Sequence, residues 1–162
     1  LVGASESWRV TDFISFNDIP IVLGRIHRLP NYPEDDVNQP YKTPKILKDA
    51  NILFCLDYSG DMPRMGSRNL PFVAGTTVAF GLNKEEALQL ITFNAAKILG
   101  IDEKTGTLET GKDANLFVST GDALDMMGHN IELLFLMGKE VSLENHQTKL
   151  YGKFLEKFNL TK

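Results

Sequence analysis

Two short runs constrain the fold more than anything else in the chain. "IPIVLGRI" (Ile19 to Ile26) and "ILFCL" (Ile52 to Leu56) are nearly unbroken in apolar residues, several of them β-branched. A strand with one face in water alternates polar and apolar side chains. A strand covered on both faces has no such need, and helices on both faces are the mark of a parallel sheet. Helix-like segments surround both runs, so the first part of the chain reads as β/α alternation. "LVGAS" at the start reads as the end of another strand, and "SWRVTDFISFN" as a short helix with Val10, Phe13 and Ile14 as its apolar positions.

The connections are long. "HRLPNYPEDDVNQPYKTP" contains Pro30, Pro33, Pro40 and Pro44 and reads as a loop, with Pro44 opening a one- or two-turn helix, "PKILKDAN". "DYSGDMPRMGSRNLP" reads as a second Gly/Pro loop, and "RNLPFVAGT" as loop as well. The best-specified helix follows. Asn83 caps it, Glu86 completes a capping box, and Ala87, Leu88, Leu90 and Ile91 form its apolar face. Asn94 is placed to cap a further short helix, "AAKIL", which Gly100 stops. After that the period changes. "ANLFVST" and "IELLFLMGKEV" read as strands, and "LENHQTKLYGKFLEKFNL" as a helix interrupted at Gly152, with Leu150, Phe154, Leu155 and Phe158 on one stripe.

Composition excludes several function classes. The net charge is −4 with a pI near 5.4, and the basic residues are scattered, which argues against nucleic acid as a partner. No apolar stretch approaches the length of a membrane span. The lone Cys55 lies inside an apolar run and reads as a buried small hydrophobe, and a single cysteine permits no disulfide within the chain. "LVGASESW" has no initiator Met and opens in what looks like a strand, so the chain is expected to be a piece of a longer protein. Its compartment is left open.

The segment "KEEALQLITFNAAKILGI", followed by "GTLETGKDANLFV", resembles the C-terminal signature of the amidohydrolase superfamily, in particular its imidazolonepropionase-like branch. The pattern there is Glu-Ala-Leu, Thr, Asn-Pro-Ala, Leu-Gly, then Gly-x-Leu-x-x-Gly-Lys-x-Ala-Asp-Leu. This chain departs from it at Ala95, where Pro is common, and at Asn115, where Asp is common. The resemblance spans residues 1 to 145. It implies an α/β fold: the C-terminal part of a (β/α)8 metallo-dependent hydrolase barrel plus part of a small composite β-sandwich. Residues 1–104 would be the last β/α units, with "LVGAS", "IPIVLGRI" and "ILFCL" as the sixth, seventh and eighth strands. Residues 105–145 would be sandwich strands, and 146–162 a C-terminal helix. "GTLETGKDANLFV" would be the turn from barrel to sandwich, with Gly106 and Gly111 supplying permissive backbone angles.

The resemblance also implies where chemistry sits. A metal, zinc above all, would lower the pKa of a water at the C-terminal ends of the barrel strands. The family's His-x-His and later ligands lie on strands this chain does not contain, and "LVGAS" lacks the sixth-strand His. This chain alone is therefore expected to hold no cofactor and to be inactive. His27, His129 and His146 show no metal-ligand spacing. Asp57, at the end of "ILFCL", matches the family's catalytic Asp, which accepts a proton from the attacking water and can touch the metal; Asp61 is the competing alignment, and a simple turn role the bland reading. His27 and Arg25 end the neighbouring strand and are candidates for binding a small-molecule substrate, as are Arg68 and Asn69, which could equally pin their loop.

The functional expectation is part of a hydrolase of non-peptide C–N bonds in small amides, cyclic ones included. A barrel relative without catalysis, kept for binding or structure, is the alternative. A self-contained flavodoxin-type domain is more distant, because "LVGASESW" makes a poor phosphate loop. Uncovered strand edges lead to the expectation that the isolated chain either associates with itself, as a homo-oligomer, or rearranges.

Overall fold

The structure is a computed structural model that describes residues 1–58 and 63–160. Three short strands, β1 (Val2–Gly3), β2 (Ile21–Leu23) and β3 (Phe54–Leu56), form a parallel sheet in the order β1-β2-β3. Gly3 pairs with Leu23, and Leu23 with Leu56, so the strands end level with one another. Helices α1 (Thr11–Phe16) and α2 (Gln39–Asp49) make the crossovers. The apolar runs behave as their pattern requires: Ile21, Leu23, Phe54, Cys55 and Leu56 are all buried. Their core partners are Ile14, Leu47, Val73, Leu82, Ala87 and Leu90. In α1 only Ile14 turns inward, while Val10 and Phe13 are exposed. Burial lifts the Cys55 thiol above its ordinary pKa, and the negative charge of Asp57 adds to the rise.

Both proline-rich segments are more helical than their composition suggests. The helix α2 starts at Gln39, with Pro40 in its first turn and Pro44 inside it, so Pro44 does not open the helix. A proline in the first turn gives up an N–H that has no intrahelical partner anyway. Pro44 forgoes one ladder bond, yet its ring is buried and the neighbouring Thr43 hydroxyl donates to the Gln39 carbonyl at 2.9 Å. After β3 come α3 (Pro63–Gly66), a 3-10 turn (Ser67–Asn69) and α4 (Leu70–Ala79). Most of "RNLPFVAGT" is therefore helix, with Pro71 in the first turn of α4 and Val73, Ala74 and Thr77 buried beneath it.

Helix α5 (Lys84–Gln89) carries the expected Asn83–Glu86 capping box, and α6 (Phe93–Leu99) ends on Gly100 at φ +68°. Asn94 does not cap α6. Its side-chain Nδ2 donates to the Phe54 carbonyl at 2.9 Å, and the Leu56 N–H donates to the Leu90 carbonyl at 3.1 Å. The side of β3 that faces away from β2 is thus covered by the α5–α6 segment. Replacing Asn94 with Ala leaves a buried strand carbonyl unpaired, and chemical denaturation is expected to show a loss of about 1–3 kcal/mol.

The rest of the chain forms an antiparallel sheet of β4 (Leu116–Ser119), β5 (Ile131–Leu136) and β6 (Lys139–Glu140). "IELLFLMGKEV" is a hairpin and not one strand. Met137 at φ +50° and Gly138 at φ +74° make the two-residue turn. The Asn115 side chain accepts from the Met137 N–H at 2.9 Å, and the Gly138 N–H donates to the Ala114 carbonyl at 3.1 Å. Asn115 thus pins the hairpin from the preceding strand. Gly106 adopts φ +98°, and a Cβ there would come within 2.7 Å of the Ala96 side chain, so this turn packs on α6 as structural framework. Helix α7 (His146–Lys157) runs through Gly152 without a break behind an Asn145–Thr148 capping box. Leu150, Phe154 and Phe158 lie about half exposed along it, while Leu155 is partly buried.

Candidate active site at the strand ends

The level register of the parallel sheet gathers three backbone segments at one edge. The Gly24 N–H donates to the Gly3 carbonyl, and the Asp57 N–H to the Leu23 carbonyl, both at 2.9 Å. Asp57, Arg25 and the turn Ala4–Ser5 therefore leave the C-terminal ends of adjacent strands. Asp57 is half-buried and Arg25 exposed. Asp61 lies outside the described residues.

His27 follows on the β2 side, exposed but held on two sides. Its Nε2 lies 2.8 Å from the Thr76 Oγ1 of α4, and its ring centroid 5.7 Å from that of Tyr41 on α2. Tyr41 in turn stacks on Phe80 at 5.3 Å. Partial burial, and then the positive charge of Arg25, hold the imidazole pKa below its ordinary value. Arg68 is exposed on the 3-10 turn, and Asn69 precedes α4 without capping it. Among the described residues, no hydrogen bond or ion pair joins either of them to Arg25, His27 or Asp57.

One cluster at this edge escaped sequence reading. Arg9 donates through Nε to Glu6 at 2.8 Å and pairs through a second nitrogen with Asp35. Asn31 donates to the other Glu6 oxygen at 2.7 Å and accepts from Arg28 at 2.6 Å. The guanidinium of Arg9 lies 4.2 Å above the Trp8 ring. Together these bonds tie the loop after β1 to the loop after β2. The Glu6–Arg9 spacing is an ordinary local pair, and nothing in the sequence marks Asp35 as their partner. The network gives the edge two loops of fixed relative position, which a binding site needs.

Metal ligation does not fit this edge on its own. Among the described residues there is no group of three or more His, Cys, Asp or Glu side chains able to hold an ion. His129 lies elsewhere, edge-on to Phe72 at 5.6 Å and Phe117 at 5.9 Å, where it joins α4 to β4. His146 opens α7. A cavity of about 270 Å³ opens at the other end of β3, lined by Leu53, Phe54, Leu90, Phe93 and Asn94 among others. It sits at the N-terminal end of β3, away from Asp57, Arg25 and His27. No described helix is long and apolar enough to cross a membrane.

Comparison with known proteins identifies the family and the fold. The sequence profile described as the amidohydrolase family matches residues 41–143. An imidazolonepropionase of Thermoplasma acidophilum is 40% identical over 60 residues, which is 37% of this chain and 13% of that protein. One from Yersinia pestis is 39% identical over 84 residues, 51% of this chain and 18% of that protein. The chain thus spans under a fifth of the length of these two relatives. A solved amidohydrolase of Thermotoga maritima superposes with a TM-score of 0.73 at 26% identity, covering 87% of this chain and 36% of that one. A phenylurea hydrolase superposes with a TM-score of 0.56 at 17% identity, a likeness of fold alone.

Proposed function

Because the chain belongs to the amidohydrolase family, we propose that it is the C-terminal part of a hydrolase acting on non-peptide C–N bonds of small amides, cyclic ones included. The imidazolonepropionase relatives make an imidazolone ring a natural first substrate to test. Residues 1–104 would supply the last strands and helices of a barrel, 105–145 part of a composite sandwich, and 146–162 a closing helix. The carrying observation is the placement of half-buried Asp57 at the C-terminal end of β3, level with Gly24 and one residue short of Arg25. In this reading Asp57 accepts the proton of the attacking water, and Arg25 and His27 hold the substrate, with Arg68 and Asn69 as outer contacts. A divalent metal, zinc first, belongs to the same proposal; its ligands would lie on strands outside residues 1–162. Residues 1–162 alone would be inactive and would self-associate along the open edge of β1.

The test compares the full-length protein with residues 1–162, using elemental analysis after dialysis and hydrolysis of a panel of cyclic amides. Stoichiometric zinc and turnover are expected in the long form only, and Asp57→Asn should lower kcat by about 10²–10⁴-fold. Turnover unchanged in Asp57→Asn would make the residue a turn former. Neither metal nor turnover in the long form would overturn the hydrolase reading.

A further inference from the structure

The neighbours of His27 favour one ring nitrogen for its proton. The Thr76 hydroxyl donates its one hydrogen to the Phe72 carbonyl at 2.9 Å, the usual back-bond of a helical threonine. The same oxygen lies 2.8 Å from the His27 Nε2, and while the back-bond is made it is free there only to accept, which puts the hydrogen of that contact on the imidazole. A neutral imidazole carries one N–H. With Nε2 protonated, Nδ1 keeps its lone pair, and among the described residues nothing donates to it. The Tyr41 ring, itself stacked on Phe80, packs against the imidazole at 5.7 Å between centroids.

We infer that His27 is held as the Nε2–H tautomer, with Thr76 and Tyr41 as positioning residues, and that its Nδ1 accepts a hydrogen bond from the N–H of an amide or imide ring bound at the strand ends. The ligand class rests on the hydrolase reading; the tautomer does not. Orientation by a fixed partner on the far nitrogen is what makes a histidine directional. Burial first, and then the charge of Arg25 on its own strand end, lower its pKa; α2 faces it with the Tyr41 ring and α4 with the neutral Thr76 hydroxyl. The lowered pKa keeps the lone pair free near neutral pH. It also fixes a sign for this group's linkage: with the folded value below the unfolded one of about 6.5, His27 costs no stability above that pH and contributes a loss as pH falls below it.

Histidine nitrogen NMR on the full-length protein at pH 7.5 tests both halves. For His27 the expected spectrum shows Nε2 protonated and Nδ1 bare. Thr76→Val should mix the tautomers, and Thr76→Ser should restore the single form. Succinimide should move the Nδ1 resonance while N-methylsuccinimide, which has no N–H, should not. Thr76→Val should weaken succinimide binding only about twofold, by the fraction of the wrong tautomer, whereas His27→Phe should weaken it about tenfold, the size of one hydrogen bond. A protonated Nδ1 in the wild type overturns the tautomer. No shift with either probe, or an equal shift with both, overturns the ligand role. A full-length protein that hydrolyses amides while Nδ1 stays unmoved keeps the hydrolase reading and loses this one; N–H-dependent shifts without hydrolysis do the reverse.

Discussion

Phe54→Ala should lower the stability of the chain by about 3–5 kcal/mol, read as a fall in urea midpoint at unchanged slope. Phe54 is 1% exposed at the start of β3, a strand with no face in water. Removing the ring leaves a void in the cluster that includes Ile21, Leu23, Leu47 and Leu90, and a close-packed interior refills such a void only partly. Domains of this size have about 5–15 kcal/mol in total, so the variant sits near the edge of folding. The Asn94 bond goes to the Phe54 backbone and survives, which separates the loss of packing from the loss of edge coverage. Phe16 supplies the control. It is 88% exposed at the end of α1, so Phe16→Ala should stay within about 0.5 kcal/mol. A Phe54→Ala loss below about 1 kcal/mol would mean that the parallel sheet is not the centre of the core.

What the sequence discloses follows from how local each cause is. The strands are legible because burial on both faces leaves its mark in consecutive residues, as in "ILFCL". The Asn83–Glu86 cap and the glycines at 100, 106 and 111 are legible because one residue type answers one backbone requirement. The helices that begin near Pro40 and Pro71 are not, since the same residue opens a helix or fills a loop according to what packs beneath it. Asn94 looks like a cap because a cap is the nearest use for it. Its actual acceptor, the Phe54 carbonyl, lies 40 residues away. Site residues divide the same way. The positions of the candidates Arg25, His27 and Asp57 follow from the strand ends, whereas the Thr76 contact and the Glu6–Arg9–Asp35 cluster appear only when segments after different strands meet.

Gly75→Ala is expected to destabilise the chain even though it places the better helix former inside α4. Intrinsic propensity favours the change by about 1 kcal/mol. Against it, a Cβ at Gly75 would lie 2.2 Å from the Leu124 carbonyl oxygen and 3.1 Å from its carbon, both backbone atoms. That carbonyl cannot swing aside as a side-chain tip could, because Leu124 is itself buried in the core and its segment is anchored by Lys84 bonding to Asp122 at 2.5 Å. The connection between β4 and β5 must lift off α4, taking His129 from between Phe72 and Phe117. Overpacking of this kind costs about 1–3 kcal/mol, enough to outweigh the propensity gain. Hydrogen exchange gives the specific signature: amides around residues 121–130 should exchange faster while β2 and β3 stay protected. Gly152→Ala separates backbone propensity from packing. It also lies inside a helix, α7, but a Cβ there meets nothing within 4 Å. The same substitution should stabilise α7 by up to about 1 kcal/mol. If both glycines respond with the same sign, the close approach of α4 to the Leu124 backbone is not what places a glycine at position 75.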